Sequence, residues 1–282
     1  MRNIRVPMFP SIPRPRFTPP KRTRRGPQTA RCTAEWEAHT MTTAVARRAP
    51  EEGEQRMNKR SSRREFLSTA IKLPAGAGLG AAGVNLIPSG QGRAAAGAAP
   101  WPWPYQKLDA ESVRKLGHQG FWEQGRGCGY GAFKAIVAAL QKKVGPPFTQ
   151  IPPEMMIYGH GGAVEWGTLC GAVNGAAAAI GLVTDKETAD KLIHELLGWY
   201  TQARFPSEQS NRYAQRKEFL VEKYSKALPQ SAAGSPLCHA SVTRWCEASG
   251  FTATSQERKE RCARLTGDVA AYAVDLLNKH AD

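Results

Sequence analysis

The residues best suited to chemistry in this sequence are its cysteines. Six occur, and five of them follow residue 100: Cys128, Cys170, Cys238, Cys246 and Cys262. Thiolates bind zinc and iron–sulfur clusters, and pairs of thiols can be oxidised reversibly. Disulfides consume cysteines two at a time, so an odd number leaves at least one thiol for another role. The cysteines therefore predict a metal centre or a redox-active dithiol.

Two histidines are candidates for the same site. His160 stands among glycines, where its ring could approach a cofactor closely, and His239 directly follows Cys238. Imidazole is a common ligand of transition metals. The predicted cofactor-binding residues are thus five cysteines and two histidines, with the cysteines as the metal ligands. His118 and His194 fall in predicted helices, and we expect them to be surface or capped groups.

The sequence around these cysteines resembles a known family. Cys170 opens the run Cys-Gly-Ala-x-x-Gly175, with Cys128 before it and Cys238, Cys246 and Cys262 after it. This pattern resembles the redox-active C-GCAxxG-C-C family and, within it, the split-Soret cytochromes c. The resemblance implies a periplasmic electron carrier that forms a homodimer and exchanges electrons with a donor or acceptor protein. Five stretches of the sequence carry the resemblance, and the second of them contains this run: 100–105, 159–175, 196–200, 235–242 and 261–267.

One departure from the cytochromes concerns haem. A covalent c-type haem needs Cys-x-x-Cys-His for its two thioether bonds and its axial imidazole. The sequence contains no such motif, and its nearest approach, Ser235-Pro-Leu-Cys238-His239, has serine at the first thioether position. We therefore expect no covalent haem, and an iron–sulfur cluster is the predicted cofactor.

Two functions from different classes remain open. The first is an exported redox protein with a cysteine-ligated iron–sulfur centre or redox-active cysteines. The second is an exported binding or scaffold protein without electron chemistry, stabilised by disulfides among the later cysteines. Cys262 lies on an apolar helix stripe, so core packing alone would also account for it. No hydrolase, phosphate-loop or dinucleotide-binding motif occurs, and the sequence does not decide whether the protein is an enzyme.

Helical patterns dominate residues 100–282, which predict one all-α domain of five or six helices. The last helix carries an apolar stripe at 3-4 spacing from Cys262 to Leu276. Helix starts are predicted at Asp109 and at two capping boxes, 184–187 and 254–257, and a stop at Gly250. Gly125–Gly131 is predicted to be a turn, the segment around His160 a flexible loop, and 204–216 a polar loop.

The first third of the chain predicts export. Residues 1–56 are rich in Pro, Arg and Thr and are expected to be disordered or untranslated. Residues 57–99 resemble a twin-arginine signal peptide, with Arg63-Arg64, a weak apolar stretch and then small residues suited to cleavage. We expect the twin-arginine translocase to carry the protein to the periplasm, with no permanent membrane span.

The positive charge is confined to this leader. The chain of 282 residues has a formal net charge of +15, which by itself would suggest nucleic acid. However, residues 1–99 hold 18 Lys and Arg against 6 Asp and Glu, whereas residues 100–282 hold 21 against 18. The domain that follows the leader is nearly neutral, so no nucleic-acid partner is expected.

Overall fold

A computed structural model describes residues 99–282 of this chain. The predicted leader (1–56) and all of the predicted signal peptide (57–99) except its last residue lie outside the described residues. The described part contains seven α-helices: α1 Ala110–Trp122, α2 Gly127–Val144, α3 Gly171–Val183, α4 Lys186–Gln202, α5 Glu208–Gln215, α6 Cys238–Ser249 and α7 Gln256–His280. Three 3-10 helices, Glu123–Gly125, Phe148–Gln150 and Pro153–Gly159, and two short strands, β1 Arg204–Phe205 and β2 Ser231–Ala232, complete it.

The last helix, α7, is the centre of the domain. It packs against α1, α2, α3 and α4, and the predicted stripe residues Leu265, Val269 and Leu276 are buried. The two strands form one antiparallel pair of two residues each. The predicted all-α class is confirmed. Within residues 99–282, no helix is both long and apolar enough to cross a membrane.

The helix ends follow the predicted capping chemistry, with small shifts. Asp109 accepts hydrogen bonds from the N–H groups of Glu111 and Ser112, and Gly250 ends α6 with a left-handed φ of 78°. The two capping boxes each act one residue later than predicted. Asp185 and Ser255, rather than the preceding threonines, accept the N–H three residues further on.

Residues 204–216 are not the loop that their polarity suggested. They contain β1 and then α5, which Ser207 caps by accepting a hydrogen bond from the N–H of Ser210. Tyr213 and Ala214 are buried on one side of α5. A short helix with a single buried face has few apolar residues, which explains why the sequence pattern was weak.

The prediction of a turn at Gly125–Gly131 was also wrong over most of its length. Helix α2 begins at Gly127, so Gly129 and Gly131 lie within its first turns. A Cβ at Gly129 would lie 2.8 Å from the carbonyl oxygen of Met156, and one at Gly131 2.7 Å from the amide nitrogen of Phe121. These glycines allow backbones to touch, which the sequence pattern could not distinguish from a turn.

Candidate redox centre

Three cysteines stand at the starts of three different helices. Cys128 is the second residue of α2, Cys170 is the N-cap of α3, and Cys238 is the first residue of α6. A helix N-terminus carries a partial positive charge and unpaired N–H groups, and both stabilise a nearby anion. At Cys170, the N–H groups of Ala172 and Val173 face the sulfur and favour its thiolate.

A backbone bridge holds two of these helix starts together. The N–H of Cys170 donates to the carbonyl of Pro236 at 2.9 Å, and the N–H of Cys238 donates to the carbonyl of Thr168 at 2.6 Å. Leu169 and Leu237 form an isolated antiparallel bridge between the same two segments. The chain thus enters α3 and α6 from antiparallel neighbouring segments, which places Cys170 beside Cys238.

The fourth sulfur comes from the central helix. Cys262 lies in the second turn of α7 and interacts electrostatically with Cys128, Cys170 and Cys238. The last of these, Cys238, also faces both Cys170 and Cys128. We call these residues the four-cysteine site: Cys128, Cys170, Cys238 and Cys262. All four are thiols, none of them in a disulfide.

Cys246, which the sequence grouped with the other cysteines, lies elsewhere on α6. It is eight residues beyond Cys238 on the same helix, so their Cα atoms are about 12 Å apart along the axis. Its side chain belongs to a small core that also contains Val242, Trp245 and Cys238, with Cys262 packed against it. Cys246 thus shares a core with two members of the site but lies two turns of α6 beyond its first residue.

Burial controls the protonation of the thiols. Burial, followed by the neighbouring Cys170 and Cys262, raises the pKa of Cys128 to about 12. Burial also raises the pKa of Cys170, although the Tyr200 hydroxyl opposes the shift, and raises that of Cys238 well above its ordinary value. The helix N-termini do not overcome desolvation, so these three thiols are protonated at neutral pH in the protein without a cofactor.

A cavity of about 290 Å³ opens onto the four-cysteine site. Its walls include Cys128, Cys238 and Cys262 as well as the rings of Phe121, Trp122 and His160. The cavity is several times larger than the roughly 30 Å³ that a water molecule occupies in the liquid. It therefore provides room beside Cys128, Cys238 and Cys262 for a group larger than a single ion.

The two candidate histidines have different surroundings. His160 lies at the cavity and packs against Gly127, where a Cβ would lie 2.7 Å from that of His160. His239 is exposed, and its Nδ1 lies 3.4 Å from the carbonyl oxygen of Gly167. The structure brings His160, but not His239, to the cavity. His118, expected at the surface, is instead fully buried and pairs with Glu260 at 3.0 Å.

The loop after His160 has a left-handed backbone. Gly161 and Gly162 have positive φ, and so do the next three residues, Ala163, Val164 and Glu165. Positive φ is unfavourable for a β-branched residue such as Val164. Backbone hydrogen bonds hold the conformation. The N–H of Val164 donates to the carbonyl oxygen of Tyr158 at 2.8 Å, and the N–H of Gly167 donates to that of Gly161 at 3.0 Å. The segment predicted to be a flexible loop is therefore a hydrogen-bonded turn beside the site.

The two glycines of the Cys-Gly-Ala-x-x-Gly run allow the close packing of this site. A Cβ at Gly171 would lie 2.0 Å from the carbonyl oxygen of Gly159 and 2.6 Å from the Cys128 sulfur. A Cβ at Gly175, one turn later, would lie 2.2 Å from the carbonyl oxygen of Gly129. Only glycine fits at either position, and this contact sets α3 against α2.

Sequence reasoning missed Arg261, a buried charged residue beside the site. Its side chain is 1% exposed and adjoins Cys262, with Nη1 3.9 Å from the sulfur. Tyr200, also fully buried, presents its hydroxyl to Cys170 and Arg261. A signal existed, because counting back four residues along the α7 stripe from Leu265 reaches Arg261, a cation at an apolar position.

The donors of the four-cysteine site suit an iron–sulfur centre. Soft thiolates are the ligands of such clusters, and here they meet helix N-termini, a cavity and a buried cation. Within residues 99–282, no three His, Cys, Asp or Glu side chains stand in an arrangement that would hold a single metal ion. The fit thus rests on the donor chemistry and on the space between the sulfurs.

Comparison with known proteins identifies the family. Residues 130–276, more than half of the chain, match the family described as "Putative redox-active protein (C_GCAxxG_C_C)". The chain belongs to this family. Three members of the four-cysteine site, Cys170, Cys238 and Cys262, fall inside the matched region.

A relative with a related sequence and fold is the split-Soret cytochrome c of Desulfovibrio desulfuricans. The two sequences are 38% identical over 176 residues, which is 62% of this chain and 61% of the relative. The alignment thus spans less than two thirds of the relative's length. A solved structure described as showing a novel iron centre in that cytochrome matches with a TM-score of 0.59, covering 64% of this chain and 72% of the other. These similarities support a redox protein.

Proposed function

We propose that the four-cysteine site holds an iron–sulfur centre and that this protein carries electrons. The observation that carries the proposal is that three buried thiols at helix N-termini, those of Cys128, Cys170 and Cys238, meet the partly buried thiol of Cys262 beside the cation of Arg261. The helix N-termini and the Arg261 cation both favour negative charge at this place. An iron–sulfur centre with thiolate ligands supplies such a charge, and when bound it accepts or donates one electron at a time.

The surrounding residues have separate roles in this proposal. The four thiols release their protons on binding iron, and the helix N-termini stabilise the resulting negative charge. Phe121 and Trp122 limit water in the cavity, and Trp122 is fixed by donating its indole N–H to Glu260 at 3.1 Å. Gly171 keeps side chains out of the space beside Cys128.

The relative supports an iron cofactor in this chain. Its solved structure is described as containing a novel iron centre, and the match to it covers 64% of this chain. This sequence lacks Cys-x-x-Cys-His. We propose that the shared feature is the cysteine-held iron, with His160 lining the cavity as a further contact to it.

Cysteine variants test the proposal. Protein purified without oxygen should absorb visible light, and dithionite should bleach that absorption. Cys170→Ser should abolish the chromophore because it removes a ligand. Cys246→Ser is the matched control, since it removes a buried thiol that stands about 12 Å along α6 from Cys238, and it should leave the chromophore intact. Loss of colour in both variants, or in neither, would contradict the assignment.

Exposed hydrophobic residues that lie near the site in sequence support our proposal of a homodimer. Met155, Tyr158, Val164, Trp166 and Leu237 are large, exposed hydrophobic residues close to the site in sequence, and Trp166 is 72% exposed. Exposed apolar patches mark contact surfaces. Light scattering should give twice the chain mass, and Trp166→Ser should give one chain mass with unchanged helicity. A monomeric wild-type protein would exclude the dimer.

Export completes the proposal. We propose that the twin-arginine translocase carries the folded protein to the periplasm, where it exchanges electrons with a donor or acceptor protein. The support is the order of Arg63-Arg64, apolar stretch and small residues in the sequence. A centre assembled in the cytoplasm requires a route that accepts folded proteins.

A further inference from the structure

Arg261 is a buried cation that lacks a conventional partner. Its Nη2 donates a hydrogen bond to the Ser241 hydroxyl at 2.7 Å, and its Nη1 lies 3.9 Å from the Cys262 sulfur. Its Nε is buried with no hydrogen-bond partner. Arginine is almost never buried unless a carboxylate or another anion compensates its charge.

Another arginine of the same helix has the carboxylate partner that Arg261 lacks. Arg264 is also completely buried, but its Nε donates to Glu260 at 2.8 Å. Its Nη1 donates to Asn211 at 2.7 Å and its Nη2 to the carbonyl oxygen of Tyr224 at 2.6 Å. Arg261 differs from it in having no carboxylate among its partners within the described part of the chain.

Two members of the four-cysteine site and one tyrosine face Arg261. The Cys262 sulfur lies 3.9 Å from its Nη1, and Cys170 and Tyr200 are the other ionisable groups that interact with it. Protonated thiols are neutral and do not balance a guanidinium. Thiolates bound to iron carry the missing negative charge, and only that state compensates Arg261 in full.

We propose that Arg261 is the fixed counter-charge of the centre held by the four-cysteine site and sets its reduction potential. This inference rests on the proposed function. A fixed cation beside the site favours the more negative, reduced state of the centre, and charge and hydrogen bonds at the sulfurs are what tune such potentials. Arg261 is a positioning residue, because it acts through Cys262.

The inference predicts opposite effects in the two states of the protein. Without iron, Arg261 is an uncompensated buried charge, so Arg261→Met should raise the melting temperature of the apoprotein. With iron, the same change should shift the balance between reduced and oxidised centre at least tenfold towards the oxidised form. For a one-electron couple, that shift is 59 mV to lower potential.

The experiment compares Arg261→Met, Arg261→Lys and Arg264→Met with the wild type. A dithionite titration followed by absorbance gives the potential, and thermal unfolding gives the stability of the apoproteins. Arg261→Lys keeps the charge, so its ratio of reduced to oxidised centre should stay within tenfold of the wild-type ratio. Arg264→Met should lower the apoprotein melting temperature, because it removes the arginine that pairs with the buried Glu260 carboxylate, and should not move the potential.

Iron retention in the two Arg261 variants separates charge from shape. If Arg261→Met loses iron while Arg261→Lys retains it, the result supports Arg261 as a counter-charge. If neither variant retains iron, Arg261 acts through its shape and the inference is wrong. A coloured wild type with an unchanged potential in Arg261→Met overturns the inference and leaves the proposed function standing. A colourless, iron-free wild type overturns both. A fall in the apoprotein melting temperature of Arg261→Met would also contradict the inference.

Discussion

The Cys128 sulfur lies so close to Gly171 that a Cβ at position 171 would stand 2.6 Å from it. The same added carbon would lie 2.0 Å from the carbonyl oxygen of Gly159. The sulfur of one predicted ligand therefore rests on the backbone immediately after another, Cys170. This contact couples the packing of α2 against α3 to the geometry of the four-cysteine site.

The first prediction concerns this contact. Gly171→Ala should destabilise the apoprotein by roughly 1–3 kcal/mol, because overpacking a fixed backbone contact forces the helices apart. Thermal or denaturant unfolding of the apoprotein measures the change. Gly181→Ala, in the same helix, is the control, since nothing lies within 4 Å of its added Cβ. It should stabilise the protein by up to about 1 kcal/mol through helix propensity. Equal effects of the two substitutions would contradict the packing described.

A second prediction concerns the pH dependence of thiol reactivity. The pKa of Cys128 is raised to about 12, so at pH 8 its thiolate fraction is roughly a thousandfold below that of an ordinary cysteine. Iodoacetamide should therefore modify Cys128 slowly in the apoprotein, about tenfold faster for each unit of pH between 8 and 10. Mass spectrometry of the labelled peptide measures the rate, and the unfolded chain is the control. Modification of Cys128 in the folded apoprotein as fast as in the unfolded chain would show that the thiol is neither buried nor shifted.

The third prediction concerns haem. Ser235 occupies the position where a c-type motif has its first cysteine, so the two thioether bonds of a c-type haem cannot form at positions 235 and 238. The purified domain should give no pyridine haemochrome spectrum after acid–acetone extraction. The substitution Ser235→Cys creates the missing motif and serves as a gain-of-attachment comparison in a host that matures cytochromes c. Covalent haem in the wild type would restore the full analogy with the cytochromes.

The fourth prediction concerns export. Replacing both Arg63 and Arg64 by Lys should leave the precursor in the cytoplasm, whereas removing residues 1–56 should have no effect, because the proposed signal peptide begins at Met57. Cell fractionation with an antibody to the domain measures both. Efficient export of the double-lysine form would exclude the twin-arginine route.

Much of the fold could be predicted because its cues are local. The cap at Asp109, the stop at Gly250 and the stripe on α7 each depend on residues only a few positions apart. The glycines of α2 were misinterpreted for a physical reason. A missing side chain suits a turn and a close backbone contact equally well, and only the partner backbone, such as Gly159 opposite Gly129, distinguishes them.

The site could be predicted in part. The sequence singled out the cysteines, but which of them meet depends on the bridge between Leu169 and Leu237 and on the position of α7, neither of which is local. Cys246 illustrates the limit, because helix rise carries it away from Cys238. Arg261 was missed because arginine at a helix surface is usual, and its burial follows only from the packing around α7.

The proposed iron–sulfur centre is tested most directly by quantifying iron, acid-labile sulfide and thiols in one sample of the domain purified without oxygen. We expect iron and sulfide together, with no disulfide among Cys128, Cys170, Cys238 and Cys262. After the metal is removed, all four should titrate as thiols in denaturant. A protein free of iron and sulfide, with these four cysteines paired in disulfides, would contradict the account and leave a helical domain held by cross-links.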